Sequence, residues 1–116
     1  MPLVLKQAVL GNSLYLIPLT RSFFFTPLDI IMFYYVYVLK SERDGNNYVG
    51  YTNNLRKRLK EHELGHVKST KHRLPVRLIY FEACLNQQDA TKREKYLKTS
   101  WGKRYIKSRL SNYLTG

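Results

Sequence analysis

Five side chains stand out by type and order. Tyr37 and Tyr48 lie in two apolar, tyrosine-rich segments, Arg58 and His62 follow at a spacing of four, and Glu94 comes later. Two phenols, a guanidinium, an imidazole and a carboxylate make a set suited to cutting a phosphodiester with a single metal ion. Glu94 is the clearest anomaly, because its helix face otherwise reads Ala90, Leu97 and Trp101. A lone carboxylate on such a face is costly to desolvate, so it needs a partner. That partner could be a cation such as Arg58, a bound metal, or Arg93 or Lys98 on the same helix. Taken singly, the other four are ordinary. His62 beside an apolar stripe reads equally well as a hydrogen-bonded core residue. Arg58 shares its segment with Arg56, Lys57 and Lys60 and reads as a positioning contact to phosphate. The two tyrosines are among ten, and a phenol with a reference pKa of about 10 serves as a base only with help from a nearby cation.

The elements that must position these groups follow from pattern. Residues 33–41 are rich in Tyr and Val and read as a strand with two largely apolar faces, hence a central one. Asp44-Gly45 signals a turn, and residues 47–52 return as its hairpin partner. Thr52, Asn53 or Asn54 can cap a helix that runs to about Leu64 and stops at Gly65, with Leu55, Leu59 and His62 on one stripe. Residues 65–75 form a basic loop, and residues 76–83 read as a third strand. Asn86 can cap a helix over about 87–99 whose stripe is Ala90, Glu94, Leu97 and Trp101. Gly102 reads as a break before a final basic helix over 103–113. The predicted class is α/β: a small sandwich with a three-stranded, mainly antiparallel sheet flanked by helices.

At 116 residues the chain holds one main domain. Its net charge is +12, from 20 Lys and Arg against 8 Asp and Glu. Residues 1–31 carry Lys6 and Arg21 against Asp29, so +11 of that charge falls on residues 32–116. A surface this basic favours a polyanionic partner, most often nucleic acid, bound in a salt-dependent way. Cys84, the only cysteine, excludes an intrachain disulfide and a cysteine-based zinc site; it reads as a small buried residue in a reducing, cytoplasmic setting.

Residues 1–31 differ in character. Pro18, Arg21 and Pro27 interrupt their apolar stretches, which rules out a spanning helix of about 20 residues. No membrane association is expected. The segment reads as a weakly ordered extension, or translated upstream sequence, with the working domain starting near Met32.

The segments Tyr35-Val36-Tyr37, Tyr48-Val49-Gly50 through Leu55, Arg58 to His62 and Ala90 to Glu94 occur in an order that resembles the GIY-YIG nuclease superfamily. The chain is most similar to its small single-domain bacterial members and to the nuclease subunit of structure-specific endonucleases, and Arg73-Leu74-Pro75 fits the same pattern. The resemblance covers roughly residues 33–97. It implies that Tyr37 and Tyr48 are the two motif tyrosines. By the same resemblance Arg58 holds the scissile phosphate, and His62 transfers a proton or orients a tyrosine. Glu94 is then the protein ligand of one divalent cation, Mg²⁺ or Mn²⁺. The implied reaction is hydrolysis of DNA by water, structure-selective or of low sequence specificity, in DNA repair or processing; RNA stays open as a substrate. Several positions depart from the pattern. Tyr35 replaces the first motif's glycine, valines replace both isoleucines, and Tyr51 stands where some members carry a lysine. Without that lysine, either tyrosine could be the base. With no separate recognition module in the reading, grip on the substrate falls to Lys68, Lys71 and Arg73 in the loop and to Lys103, Arg104 and Lys107 in the last helix. The alternative is a catalytically weak nucleic-acid-binding module that retains the fold.

Overall fold

A computed structural model describes residues 4–10, 13–19 and 32–116. The chain divides into two units, Met1–Met32 and Phe33–Gly116.

In the first unit, β1 (Val4–Leu10) pairs with β2 (Ser13–Leu19) as an antiparallel hairpin, with Val4 opposite Leu19 and Leu10 opposite Ser13. The sequence pattern assigns no element there, and Pro18, which argues against a spanning helix, lies within β2. In a two-stranded pair both strands are edges, and an edge tolerates the missing N–H of proline. The expectation of a weakly ordered segment otherwise falls outside the described residues.

The second unit is built on three strands: β3 (Tyr34–Ser41), β4 (Asn47–Thr52) and β5 (Val76–Cys84). Their order is β4-β3-β5, and both pairings are antiparallel, so the doubly apolar β3 is central as its sequence predicts. Helix α1 (Leu55–Glu63) follows β4, capped by the Asn54 side chain accepting from the Lys57 N–H. Its last turn is released at Gly65, whose φ of +76° suits glycine. Helix α2 (Gln87–Leu97) begins at Asn86, which accepts from Asp89 N–H. Helices α3 (Ser100–Arg109) and α4 (Ser111–Thr115) complete the chain. No helix among the described residues is long and apolar enough to cross a membrane.

The two faces of β3 serve different helices. Val36 and Val38 pack with Val49, Ala90, Leu97 and Ile106 into a core beneath α2 and α3. Tyr37, in alternation, points to the other face and meets His62 of α1. Strict alternation fails in β5, where the register slips opposite Val38 and Leu39. Leu78 still faces Leu39 and Phe81 faces Tyr37, but Ile79 and Tyr80, though adjacent, both pack on the α2–α3 core.

The C-terminal helices also differ from the pattern. Gly102 is no break: α3 starts at Ser100, capped by Thr99, and runs through it. Glycine is required there by close approach, since a Cβ would collide with the Cα of Leu97 and the carbonyl of Tyr96. Trp101 therefore leaves the α2 stripe and sits on α3, 64% exposed, with the Arg104 guanidinium 4.6 Å from its ring. The expected single helix over 103–113 is instead α3 and the short α4.

Candidate active site

The site grows from Tyr37, which lies in the middle of the central strand and is fully buried. Its ring crosses Gly50 on β4, its partner in register. A Cβ at Gly50 would run into the phenol oxygen and Cζ, so the glycine of Tyr48-Val49-Gly50 is the space that the Tyr37 ring occupies. Sequence order marks this glycine as part of a motif; only the pairing shows why it must be glycine.

The Tyr37 hydroxyl lies 2.8 Å from Nε2 of His62, and His62 Nδ1 lies 2.7 Å from Oγ1 of Thr70. Both ring nitrogens are thus engaged, and His62 and Thr70 are as buried as Tyr37. Tyr48 closes the group, its ring centroid 5.4 Å from His62 and 6.4 Å from Tyr37. Unlike Tyr37, Tyr48 is only half-buried. Thr70 was not visible to sequence reasoning. It lies in a loop whose other polar residues are mostly basic, and it meets His62 only because that loop folds back onto α1. The β3–β4 turn holds the loop in place: Ser41 Oγ donates to Arg73 O at 2.7 Å, and Arg43 Nη1 donates to His72 O at 3.1 Å.

Burial governs the protonation of this group. It pushes the Tyr37 phenol up to about 12 against the opposing pull of the Arg58 guanidinium; Tyr48 and Glu94 also raise it. Burial, assisted by the Arg58 charge, lowers His62 to about 4. His62 is therefore a neutral imidazole at ordinary pH, an orienting group with one donor and one acceptor. Arg58 is raised further by its interaction with Tyr37, and its Nη1 donates to Glu61 Oε2 at 3.0 Å. About a third of the Arg58 side chain remains exposed, so the guanidinium can meet a ligand from outside.

Glu94, on α2, is near enough for its charge to act on Tyr37. Its side chain is 20% exposed, and Oε2 lies 3.7 Å from Lys98 Nζ. Of the partners open from sequence, Lys98 is the one in reach, and the contact is long. Arg93 is committed elsewhere, forking onto Glu82 at 2.9–3.1 Å and lying 4.7 Å from the Tyr105 ring. Among the described residues there is no cluster of three His, Cys, Asp or Glu side chains able to hold a metal. Glu94 still suits a hard cation that takes one protein carboxylate and completes its shell with water and phosphate oxygens.

The basic residues separate into groups. Arg73, Lys103 and Lys107 line one open cleft together with Lys40 and Arg77. Lys68 and Lys71 are exposed on the loop after α1. Arg104 turns to Trp101, away from that cleft's lining. Lys40 and Arg77, each on a strand, were not singled out from sequence.

Comparisons with known proteins agree with the motif order. The family model for the GIY-YIG catalytic domain matches residues 33–113. The chain is 49% identical over 65 residues to the UPF0213 protein of Clostridium perfringens, covering 55% of this chain and 69% of that protein. It is 50% identical over 66 residues to a UPF0213 protein of Bacillus licheniformis, covering 56% and 67% respectively. A UPF0213 protein of Streptococcus pneumoniae is 45% identical over 65 residues, 65% of its length. The names of these relatives state no reaction. No solved structure matches the chain.

Proposed function

The chain belongs to the GIY-YIG family, and on that premise we propose that it is a metal-dependent endonuclease that hydrolyses DNA phosphodiester bonds. The observation that carries the reading is the convergence of an outward-reaching Arg58 and a half-buried Tyr48 on a sealed Tyr37–His62–Thr70 chain, with Glu94 in electrostatic range. A binding module has no use for a carboxylate beside a phosphate site, where it repels the ligand unless a cation intervenes.

The difference in burial divides the work between the tyrosines. A general base must come within hydrogen-bond reach of the attacking water. Tyr37 is sealed from solvent and its proton is held tightly, so its work is to orient His62. Tyr48 meets that fixed imidazole edge-to-face and is only half-buried, so it is the phenol that can take a proton from water. Arg58 is placed to stabilise the phosphoryl oxygens as negative charge builds on them. A divalent cation, Mg²⁺ or Mn²⁺, held by Glu94 would supply Lewis-acid stabilisation of the same oxygens.

The proposed substrate class is DNA cut with structural selectivity or low sequence specificity, since exposed cations around an open surface serve first as phosphate contacts, which position the substrate without reading its sequence. The test is cleavage of labelled linear, flapped and branched DNA by wild type and Glu94→Ala, with Mg²⁺ or Mn²⁺ and with chelator. Metal-dependent cutting lost in a folded Glu94→Ala supports the reading. Binding without cutting on every substrate replaces it with a nucleic-acid-binding module.

A further inference from the structure

A second concavity lies on the other side of the sheet from Tyr37. Lys40 of β3 alternates onto the face of Val36 and Val38, three residues and so about 10 Å along the strand from Tyr37. With Arg73, Arg77, Lys103 and Lys107 it lines an open cleft of about 720 Å³, and Tyr113 stands at its edge, 52% exposed. No carboxylate is among the described lining residues. Glu42 borders the cleft through a 3.6 Å contact to Arg77, and Lys40 Nζ donates to the Gly45 carbonyl at 3.1 Å. Five cations gathered around one hollow repel one another, an arrangement that stability alone does not favour and that an anionic ligand relieves.

Two features identify the ligand. The Arg77 guanidinium lies 5.6 Å from the centroid of the Tyr113 ring, so a cation and an aromatic face stand together at an exposed edge. A positive groove combined with an aromatic platform is how proteins hold single-stranded nucleic acid, the charge tracking the backbone and the ring stacking a base. The cleft also has a neighbouring pocket on the Tyr48 side. A narrower pocket of about 220 Å³ shares Asn47, Lys103 and Ile106 with it and reaches Tyr48 and Lys98, the neighbour of Glu94.

We infer that this cleft holds a single-stranded segment of the substrate, led past β4 from the cutting site to Tyr113. The inference rests on the nuclease reading for where the strand comes from, not for whether the cleft binds it. A duplex with a short unpaired arm beside the cut is then the favoured substrate.

The experiment uses the full chain carrying Glu94→Ala, so that binding is read whether or not the protein cleaves. Anisotropy of a labelled twelve-nucleotide oligothymidine is compared with that of a matched duplex, over a salt series. Arg77 and Lys107 are changed together to Ala in one variant, and Tyr113→Leu is made in another; all three residues are exposed, and melting curves check the fold. The expected results are at least tenfold weaker single-strand binding by the double variant and at least fivefold weaker binding by Tyr113→Leu. Each lost phosphate contact should also reduce the salt slope by about 0.7. Oligouridine is run in parallel: a strand of either sugar that loses affinity with the variants supports the cleft, and the tighter one names its sugar. Unchanged single-strand affinity in both variants overturns the inference. So does a loss on inorganic polyphosphate equal to that on oligothymidine with no effect of Tyr113→Leu, because the cleft would then be an anion patch only. If wild type cuts nothing while the variants still lose single-strand binding, the nuclease reading fails and the cleft stands.

Discussion

The two faces of the central sheet treat polar groups in opposite ways. Beneath α1, Tyr37, His62 and Thr70 are buried and joined by hydrogen bonds of 2.7–2.8 Å, and no buried polar side-chain atom among the described residues lacks a partner. Beside α3, Lys40, Arg73, Arg77, Lys103 and Lys107 surround an open hollow with Glu42 and Asp44 at its border. The first arrangement fixes geometry before any ligand arrives, which is what electrostatic catalysis requires. The second keeps long, adaptable cations in water, where they can follow a phosphate backbone without a fixed register. On the proposed reading, the Tyr37–His62–Thr70 group and the cationic hollow lie on opposite faces of one three-stranded sheet, and a pocket lined by Tyr48 and Asn47 lies at the β4 edge between them.

This contrast can be broken in several ways, and the largest effect is expected at Arg58, which borders the sealed face and reaches out of it. Arg58→Ala should lower cleavage by about 10²–10³-fold, comparable to losing one charge-stabilising donor. DNA affinity should fall only modestly, as read by anisotropy beside the rate. Unchanged cleavage would remove Arg58 from the site.

Next comes the pH dependence that the sealed face imposes. His62 has a folded pKa of about 4 against an ordinary 6.5, so the unfolded chain binds the proton more readily between these values. Its contribution is fully present above pH 6.5 and is lost as pH falls towards 4, on the order of 3 kcal/mol in all. Denaturant melts across that window should show stability falling with acid in wild type and a flatter profile in His62→Gln. Equal slopes would mean that His62 is not held neutral.

Gly50→Ala should cost about 1–3 kcal/mol, the range for overpacking a filled site, because the new methyl meets the Tyr37 ring. A melting curve that matches wild type would show that the ring does not cross the strand as described. The smallest effect is expected on the wet side: Lys107→Ala should change stability by no more than about 0.5 kcal/mol. Relief of repulsion in the cleft favours a slight gain at low salt. A large loss there would mean that the cations support the fold rather than a ligand.

Much of this architecture was legible in the residues themselves. The doubly apolar β3, the Asp44-Gly45 turn and the Asn54 and Asn86 caps are local signals, and the structure follows them. The motif order also brought Tyr37, Tyr48, Arg58 and His62 to one place, with Glu94 in range. What escaped depends on contacts distant in sequence or on register. Thr70 is one hydroxyl in a basic loop until the loop folds onto His62. Ile79 breaks the alternation of β5 through a bulge that periodicity cannot place. Gly102 carries the signature of a helix break, yet it is the residue that lets α3 turn closely against the end of α2. Lys40 and Arg77 are unremarkable in sequence and gain meaning only from being neighbours across β3 and β5.

The division of roles between the two tyrosines is tested by the cleavage rate of a labelled flapped duplex in Mg²⁺ for wild type and Tyr48→Phe, with Tyr37→Phe as the buried counterpart. Wild type should cut, and Tyr48→Phe, folded and binding DNA normally, should cut at least 100-fold more slowly, as the loss of a general base requires. Tyr37→Phe should lose stability along with rate, since its hydroxyl holds His62. Absence of cutting by wild type in Mg²⁺ and Mn²⁺, or full activity in Tyr48→Phe, would contradict that division.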